Sequence, residues 1–215
     1  VESLGLLADG RLLALNSYEN RVYQVGIEEA TPVIAKFYRP GRWSDAQINE
    51  EHAFTLELAE REIPVVAPLV MGGKTLHEYQ GYRFSLTPRR GGRAPELDNP
   101  DVLEWMGRFL ARIHAVGAIA PFTHRPLLDI ASFGDQPREW LLTHDFIPAD
   151  LRETWLSVID QALQGVRECF ERAGAVTNIR LHGDCHVGNV LYTDAGPHFV
   201  DFDDCRMGPA IQDLW

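Results

Sequence analysis

Two short polar groups lie near the end of the chain. One is His182-Gly183-Asp184-Cys185-His186-Val187-Gly188-Asn189; the other is Phe199-Val200-Asp201-Phe202-Asp203-Asp204. Asp184, Asn189 and Asp201 offer hard oxygen donors. Such donors suit Mg²⁺, which takes few protein ligands and completes its shell with phosphate oxygens and water. Gly183 and Gly188 let the backbone approach a ligand closely. Two further readings stand beside this one. Asp and Asn in short loops often bond only their own backbone. His182, Asp184 and His186 also alternate, so in an extended segment they would share one face and could hold Zn²⁺ or Fe²⁺ for hydrolysis. His52, His77, His114, His124, His144 and His198 show no paired metal spacing that would complete such a site.

Stiff elements must hold these groups. The runs Ile179-Arg180-Leu181, Val190-Leu191-Tyr192 and His198-Phe199-Val200 are apolar and strand-like, and a hairpin between Asn189 and Asp201 would bring those two residues together. Earlier in the chain, Leu12-Leu13-Ala14-Leu15, Arg21-Val22-Tyr23-Gln24-Val25 and Val33-Ile34-Ala35-Lys36-Phe37-Tyr38 read as antiparallel strands. Turns are expected at Asn16-Ser17, Gly26 and Thr31-Pro32. Ser44 or Asp45 caps a helix with Ile48, Phe54, Leu56, Leu58 and Ala59 as apolar positions, stopped by Pro64. Residues 65–70, 75–77 and 82–87 return to strand-like sequence, with Gly72-Gly73 as a hairpin turn. The stretch 88–93 is the linker candidate. Asn99 and Pro100 open a helix with Val102, Met106, Phe109, Leu110 and Ile113 on one stripe. A second long helix carries Leu151, Trp155, Val158, Ile159, Ala162, Leu163, Val166 and Phe170, read as a core face.

Composition narrows the class. The 215 residues hold 20 Lys+Arg against 31 Asp+Glu, a net charge of −11, with 45% hydrophobic residues. That excludes a disordered chain and argues against a basic-face nucleic-acid binder. No apolar stretch approaches the roughly 20 residues that span a bilayer, so no membrane partner is expected. Cys169, Cys185 and Cys205 are an odd number without CxxC spacing, which favours a reducing, cytoplasmic setting. The chain starts at Val1 and stops at Trp215 in what reads as the opening of a helix, so a fragment clipped at both ends is expected.

The pattern His182-Gly183-Asp184-x-x-x-x-Asn189, followed by Val200-Asp201, resembles the phosphotransferase motif of the protein-kinase-like superfamily, in the form of aminoglycoside phosphotransferases and choline kinases. The Asp184-to-Asn189 spacing matches the kinase catalytic loop, and Asp203 replaces the Gly of the metal-binding DFG triplet. The runs from Leu15 to Tyr23, Ala35 to Pro40, Leu181 to His186 and Gly208 to Trp215 look like the bacterial stress response kinase A family. The resemblance implies an α+β, bilobal kinase-like fold. Residues 1–88 would form a nucleotide-binding lobe, and 89–215 an incomplete catalytic lobe. It implies a cytoplasmic Ser/Thr protein kinase of the bacterial stress response that uses ATP and Mg²⁺, with a protein substrate as partner.

The same resemblance assigns roles. Asp184 and Asp201 are the catalytic residues, with Asp184 as base, and Asn189 and Asp201 hold the metal. Lys36 holds the α/β-phosphates and pairs with Glu51, whose successors Phe54 and Leu58 lie on the buried side; Glu50 is the alternative. Ser17-Tyr18-Glu19-Asn20 stands where kinases carry a Gly-rich loop, and Ser17 or Asn20 would add side-chain bonds to phosphate. Residues 84–88 fit the strand and hinge that receive adenine. His182 and Asp213 are structural braces, Cys185 is inert, and Asp203 and Asp204 either assist the site or are simply solvated. A small-molecule hydroxyl acceptor, a nucleotide-binding pseudokinase and a His/Asp metallohydrolase remain as alternatives.

Overall fold

The structure is a computed structural model that describes residues 1–214. It is α+β. Five antiparallel strands form one sheet: β1 (Ala8–Leu15), β2 (Arg21–Ile27), β3 (Ala30–Phe37), β4 (His77–Tyr79) and β5 (Tyr82–Pro88), in the order β1-β2-β3-β5-β4. Lys36 sits inside this sheet, opposite Val22 on one side and Ser85 on the other. The β2–β3 turn falls at Glu28-Glu29, with Glu29 at φ 54°, and not at Gly26 or Thr31-Pro32 as the turn residues suggest. Gly26 lies inside β2, where a Cβ would collide with the Asp9 carboxylate. Pro32 lies between the paired residues Ala30 and Val33, so its missing N–H costs no ladder bond.

Residues 65–70 form no strand. Pro64 and Pro68 interrupt the donors, and only Val65 makes a bridge, parallel to Phe199. The run instead ties the two halves of the molecule together: Val66 N–H donates to Phe199 O and Leu69 N–H to Leu86 O. Helix α1 (Asp45–Glu60) opens with a full capping box between Ser44 and Gln47 and ends before Pro64. Helix α2 (Pro100–Gly117) starts at an Asn99 cap with Pro100 in its first turn, as expected.

The remainder is helix α3 (Gln136–Thr143), helix α4 (Arg152–Ala173) and four short strands. β6 (Asn178–Leu181) pairs with β9 (Arg206–Pro209), and β7 (Val190–Thr193) forms a hairpin with β8 (Gly196–Phe199). Neither α3 nor β9 stands out in sequence; β9 reads Arg-Met-Gly-Pro, without strand propensity. The α4 stripe is not a core face. Of its apolar positions only Leu163 is buried, while Leu151, Val158 and Val166 are exposed. Residues 210–214 form a 3₁₀ turn; Trp215 lies outside the described residues. No helix among the described residues is long and apolar enough to cross a membrane.

Two cores divide the molecule. One lies under the sheet and holds Val25, Ile27, Val33, Ala35, Phe84 and Leu86. The other joins Phe54, Leu58 and Ile63 of the α1 region to Leu110, Ile113 and Val116 of α2 and to Val190, Phe199, Phe202 and Cys205. Helix α1 therefore shares its packing with the helical half, although it precedes β5 in the chain.

The α2–β6 contact is tight. A Cβ at Gly117 would lie 2.1 Å from the carbonyl oxygen of Arg180. Helix propensity alone favours alanine over glycine by about 1 kcal/mol, but overpacking against backbone costs about 1–3 kcal/mol. Gly117→Ala should therefore lower stability in a urea titration; an increase would mean that α2 stands off from β6.

Candidate active site

Alternation along β3 sends Val33 and Ala35 into the sheet core and Ile34 and Lys36 to the opposite face, which lines a cavity of about 420 Å³. The Lys36 side chain is 14% exposed. Its ammonium lies 3.5 Å from Glu51 Oε1 on α1, 3.1 Å from Asp201 Oδ1 and 2.9 Å from Asp203 Oδ1. Burial would lower its pKa, but Glu51, Asp201 and Asp203 push it well above the usual lysine range, so Lys36 is a fixed cation. Its neighbour Tyr38 shares hydrogen bonds with His52 Nε2 (2.7 Å) and Ser85 Oγ (3.0 Å), and His52 Nδ1 meets Thr75 Oγ1 at 2.8 Å. Burial, aided by the Lys36 and Arg125 charges, drives the His52 pKa down to about 3, so its imidazole is neutral.

Across the cavity, β6 delivers the segment that begins at His182. This imidazole is fully buried, and burial lowers its pKa despite Asp213 nearby. Its Nε2 donates to Val200 O at 2.9 Å, and its Nδ1 accepts the Asp184 N–H at 3.4 Å. Both ring nitrogens are thus engaged, which removes His182 from any metal set with Asp184 and His186. The metallohydrolase reading fails on that geometry. Asp213 accepts the N–H groups of His182 (2.9 Å) and Gly183 (2.8 Å) and faces His114 Nε2 at 3.0 Å. Gly183 sits at φ 87° with Asp204 O where a Cβ would be, so this turn admits only glycine.

Asp184 projects a half-exposed carboxylate into the cleft mouth. Asn189 Nδ2 donates to Asp184 O at 2.9 Å and to its carboxylate at 3.3 Å, which leaves the Asn189 amide oxygen for a ligand. Val200 N–H donates to Asn189 O, closing the base of the β7–β8 hairpin and bringing Asp201 beside Asn189. Asp201 adopts φ 57°, a left-handed conformation uncommon for a non-glycine residue, though aspartate tolerates it better than most. The oxygens of Asp201 and Asn189 fit a hard divalent cation. Among the described residues no group of three His, Cys, Asp or Glu would hold a metal unaided.

Asp203 is buried, and Asp204 is partly exposed but held by arginines. Asp203 is 3% exposed, with Arg42 Nη1 3.1 Å from Oδ2; its contacts with Lys36 and Arg42 are close but not aligned as hydrogen bonds. Burial would raise its pKa, yet Lys36, Arg42 and Arg125 hold it below the usual carboxylate range. Arg42 also binds both Asp204 oxygens at 2.9 Å and lies 3.3 Å from Glu19 in the 16–20 turn. Within that turn, Ser17 Oγ accepts the Asn20 N–H at 3.3 Å and Asn20 Oδ1 accepts the Arg39 N–H at 3.2 Å, so Asn20 is buried and only its amide N–H₂ remains for a ligand. Glu50, the alternative partner of Lys36, turns away and accepts the N–H groups of Thr123, His124 and Arg125. Burial pushes the Cys185 thiol up to about 12, which keeps it unreactive. Arg42 and Arg125 carry no motif signal and emerge only from the tertiary structure.

The cavity has an apolar end of Val22, Ile34, Val66, Leu191 and Val200, close to Ser85, Thr87 and Pro88, and a polar end of Lys36, Asn189 and Asp201. Asp184, His186, Glu19 and Arg42 line the open mouth beyond it. Such a graded cleft suits a ligand with a flat apolar part and an anionic part.

Residues 11–215 match the profile of the phosphotransferase enzyme family. The serine/threonine protein kinase RdoA of Salmonella typhimurium (strain LT2) is 48% identical over 211 residues, and stress response kinase A of Escherichia coli (strain K12) is 45% identical over 215. Each alignment covers 98% of this chain, which spans only 63% of the length of those relatives. Among solved structures, amicoumacin kinase hAmiN in complex with AMP-PNP, Ca²⁺ and Ami superposes with TM-score 0.78 at 20% identity, covering 99% of this chain and 65% of the other. The microcompartment-associated aminopropanol kinase superposes with TM-score 0.74 at 21% identity, covering 97% and 69%.

The neutral His52 gives an acid-sensitive stability. In the unfolded chain the imidazole titrates near the ordinary histidine value of 6.5, and in the fold near 3, so between those values the unfolded state binds more protons. Its contribution is complete above pH 6.5 and is lost as pH falls towards 3. His52→Gln should flatten the fall of unfolding free energy between pH 6.5 and 4, measured by urea titration; an unchanged slope would show that His52 is already protonated in the fold.

Proposed function

The chain belongs to the phosphotransferase enzyme family, and from that premise we propose that it transfers the γ-phosphate of Mg·ATP to a hydroxyl group. In this reading residues 1–88 form the nucleotide-binding lobe and 89–215 carry the catalytic loop. The observation that carries it is the convergence of Lys36, Glu51 and Asp201 at one end of an apolar cavity, with Asp184 at its mouth.

Adenine enters the apolar end beside residues 84–88, between Val22 and Ile34 above and Leu191 and Val200 below. The α/β-phosphates meet Lys36, whose charge Glu51 orients. The 16–20 turn covers the phosphates through backbone N–H groups, Ser17 and the Asn20 amide. Asn189 and Asp201 hold Mg²⁺, which when bound neutralises charge on the transferring phosphoryl group. Asp184, fixed by the braced turn around His182 and Asp213, accepts or orients the acceptor hydroxyl proton. Little covalent work is left for the protein: positioning and charge stabilisation supply the rate.

A serine or threonine of a protein is the acceptor we favour, with a cytoplasmic role in the bacterial stress response. The support is the naming of relatives at 45–48% identity. An assay with radiolabelled Mg·ATP, offered protein and small-molecule hydroxyls in parallel, separates this acceptor from the small-molecule alternative.

Asp184→Asn should slow transfer by about 10²–10⁴-fold while leaving the Mg·ATP dissociation constant nearly unchanged. Asp201→Asn should weaken Mg·ATP binding itself. Undiminished transfer by Asp184→Asn would overturn the assignment, and Mg·ATP binding without turnover by the unmutated chain would mark a pseudokinase.

A further inference from the structure

Glu51 has two cationic partners, and only Lys36 faces the nucleotide cavity. The other is Arg125, from the loop after α2, whose side chain is fully buried. One planar guanidinium serves three acceptors, two on α1 and one on the turn after β8. Nη2 donates to Glu51 Oε2 at 2.9 Å, Nη1 to Asp203 O at 2.5 Å, and Nε to Gln47 O at 2.8 Å. The Trp43 ring packs against it at 4.4 Å. Helix α1 grips the same loop from its other side. Glu50 accepts the N–H groups of residues 123, 124 and 125, and Gln47 Nε2 donates to His124 O at 3.0 Å.

This arrangement fixes two carboxylate carriers against each other. Glu51 rides on α1; Asp201 and Asp203 ride on the turn after β8. Arg125 bonds to both carriers and does not itself face the cavity. A lysine at this position could not replace it, because an ammonium on a flexible stem lacks the rigid fork that spans three acceptors in one plane.

Resting on the phosphotransferase reading above, we propose that Arg125 is a positioning residue of the transfer site: it locks Glu51 to the Asp201–Asp203 turn, so that the carboxylates that set the Lys36 ammonium are in place before nucleotide arrives. Preorganisation of this kind acts on ligand affinity and rate through position alone. A residue that merely stabilised the fold would leave the coupling between Arg125 and Glu51 undetected in nucleotide binding.

The test is a double-mutant cycle read on the dissociation constant of Mg·AMP-PNP, measured calorimetrically on the full chain. Arg125→Lys should weaken binding by about tenfold, the scale of one misplaced charge-assisted hydrogen bond. In the Glu51→Gln background the same change should cost less than about threefold, because the partner it acts through is gone. Equal losses in both backgrounds would overturn the inference. Glu50→Gln, which loosens the loop without altering the Arg125 side chain, carries the same cycle if Arg125→Lys fails to fold. Failure of the unmutated chain to bind Mg·AMP-PNP would overturn the phosphotransferase reading, and the inference with it. That outcome is distinct from binding with additive losses, which removes the inference alone.

Discussion

The rest of the structure depends on one buried ammonium. Lys36 is held out of water between the sheet and α1, and a charge in that position is tolerated only when it is paired. Glu51, Asp201 and Asp203 pair it, but three carboxylates so close together would repel one another. Arg42 and Arg125 offset the surplus, so that Lys36, Arg42 and Arg125 balance Glu51, Asp201 and Asp203. The chain's net charge of −11 is no guide to this neutral cluster. The members come from β3, the loop before α1, α1 itself, the loop after α2 and the turn after β8, so the cluster exists only when all five are in register.

Around that cluster the fold divides its labour unequally. The sheet supplies Lys36 and the apolar upper wall of the cavity. Helix α1 supplies Glu51, yet its apolar side packs with α2 and the β7–β8 hairpin. The ion pair between Lys36 and Glu51 thus joins two packed bodies, and the 64–69 run joins them a second time through Phe199 and Leu86. On the helical side the turn around Asp184 is braced by groups that are buried and uncharged or fully bonded: His182 is neutral, and Asp213 caps two backbone N–H groups. Rigid support of this kind holds the Asp184 carboxylate in place at the mouth.

Much of this was legible in the chain itself where the signal is local. The Ser44 capping box, the Asn99-Pro100 helix start and the strand alternation that turns Lys36 out of the sheet core need only neighbouring residues. The spacing of Asp184, Asn189 and Asp201 across one hairpin is local in the same sense. Local signals failed where long-range packing took over. Residues 65–70 have strand-like composition but no partner strand, because two prolines break their donors and two different bodies claim their remaining N–H groups. The α4 stripe is periodic yet mostly exposed, because periodicity records what a helix can bury and not what is there to cover it.

The sequence by itself determined the chemistry on offer: a lysine in an apolar strand, an acid and an amide five residues apart, and a second acid after a hairpin. Only the tertiary structure decided which groups meet. Glu50 and Glu51 are adjacent in sequence, but about 100° of helix rotation sends one to backbone N–H groups at 123–125 and the other to Lys36. Asp203, for which the sequence leaves both an assisting and a solvated role open, is buried against Lys36 and Arg42. Arg125 carried no signal and bonds to Glu51 and the Asp203 backbone at once. The reason is physical: capping, alternation and turn geometry are settled within a few residues, whereas the pairing of a buried charge is settled by whatever the fold brings within about 4 Å, here from as far along the chain as Lys36 is from Asp203.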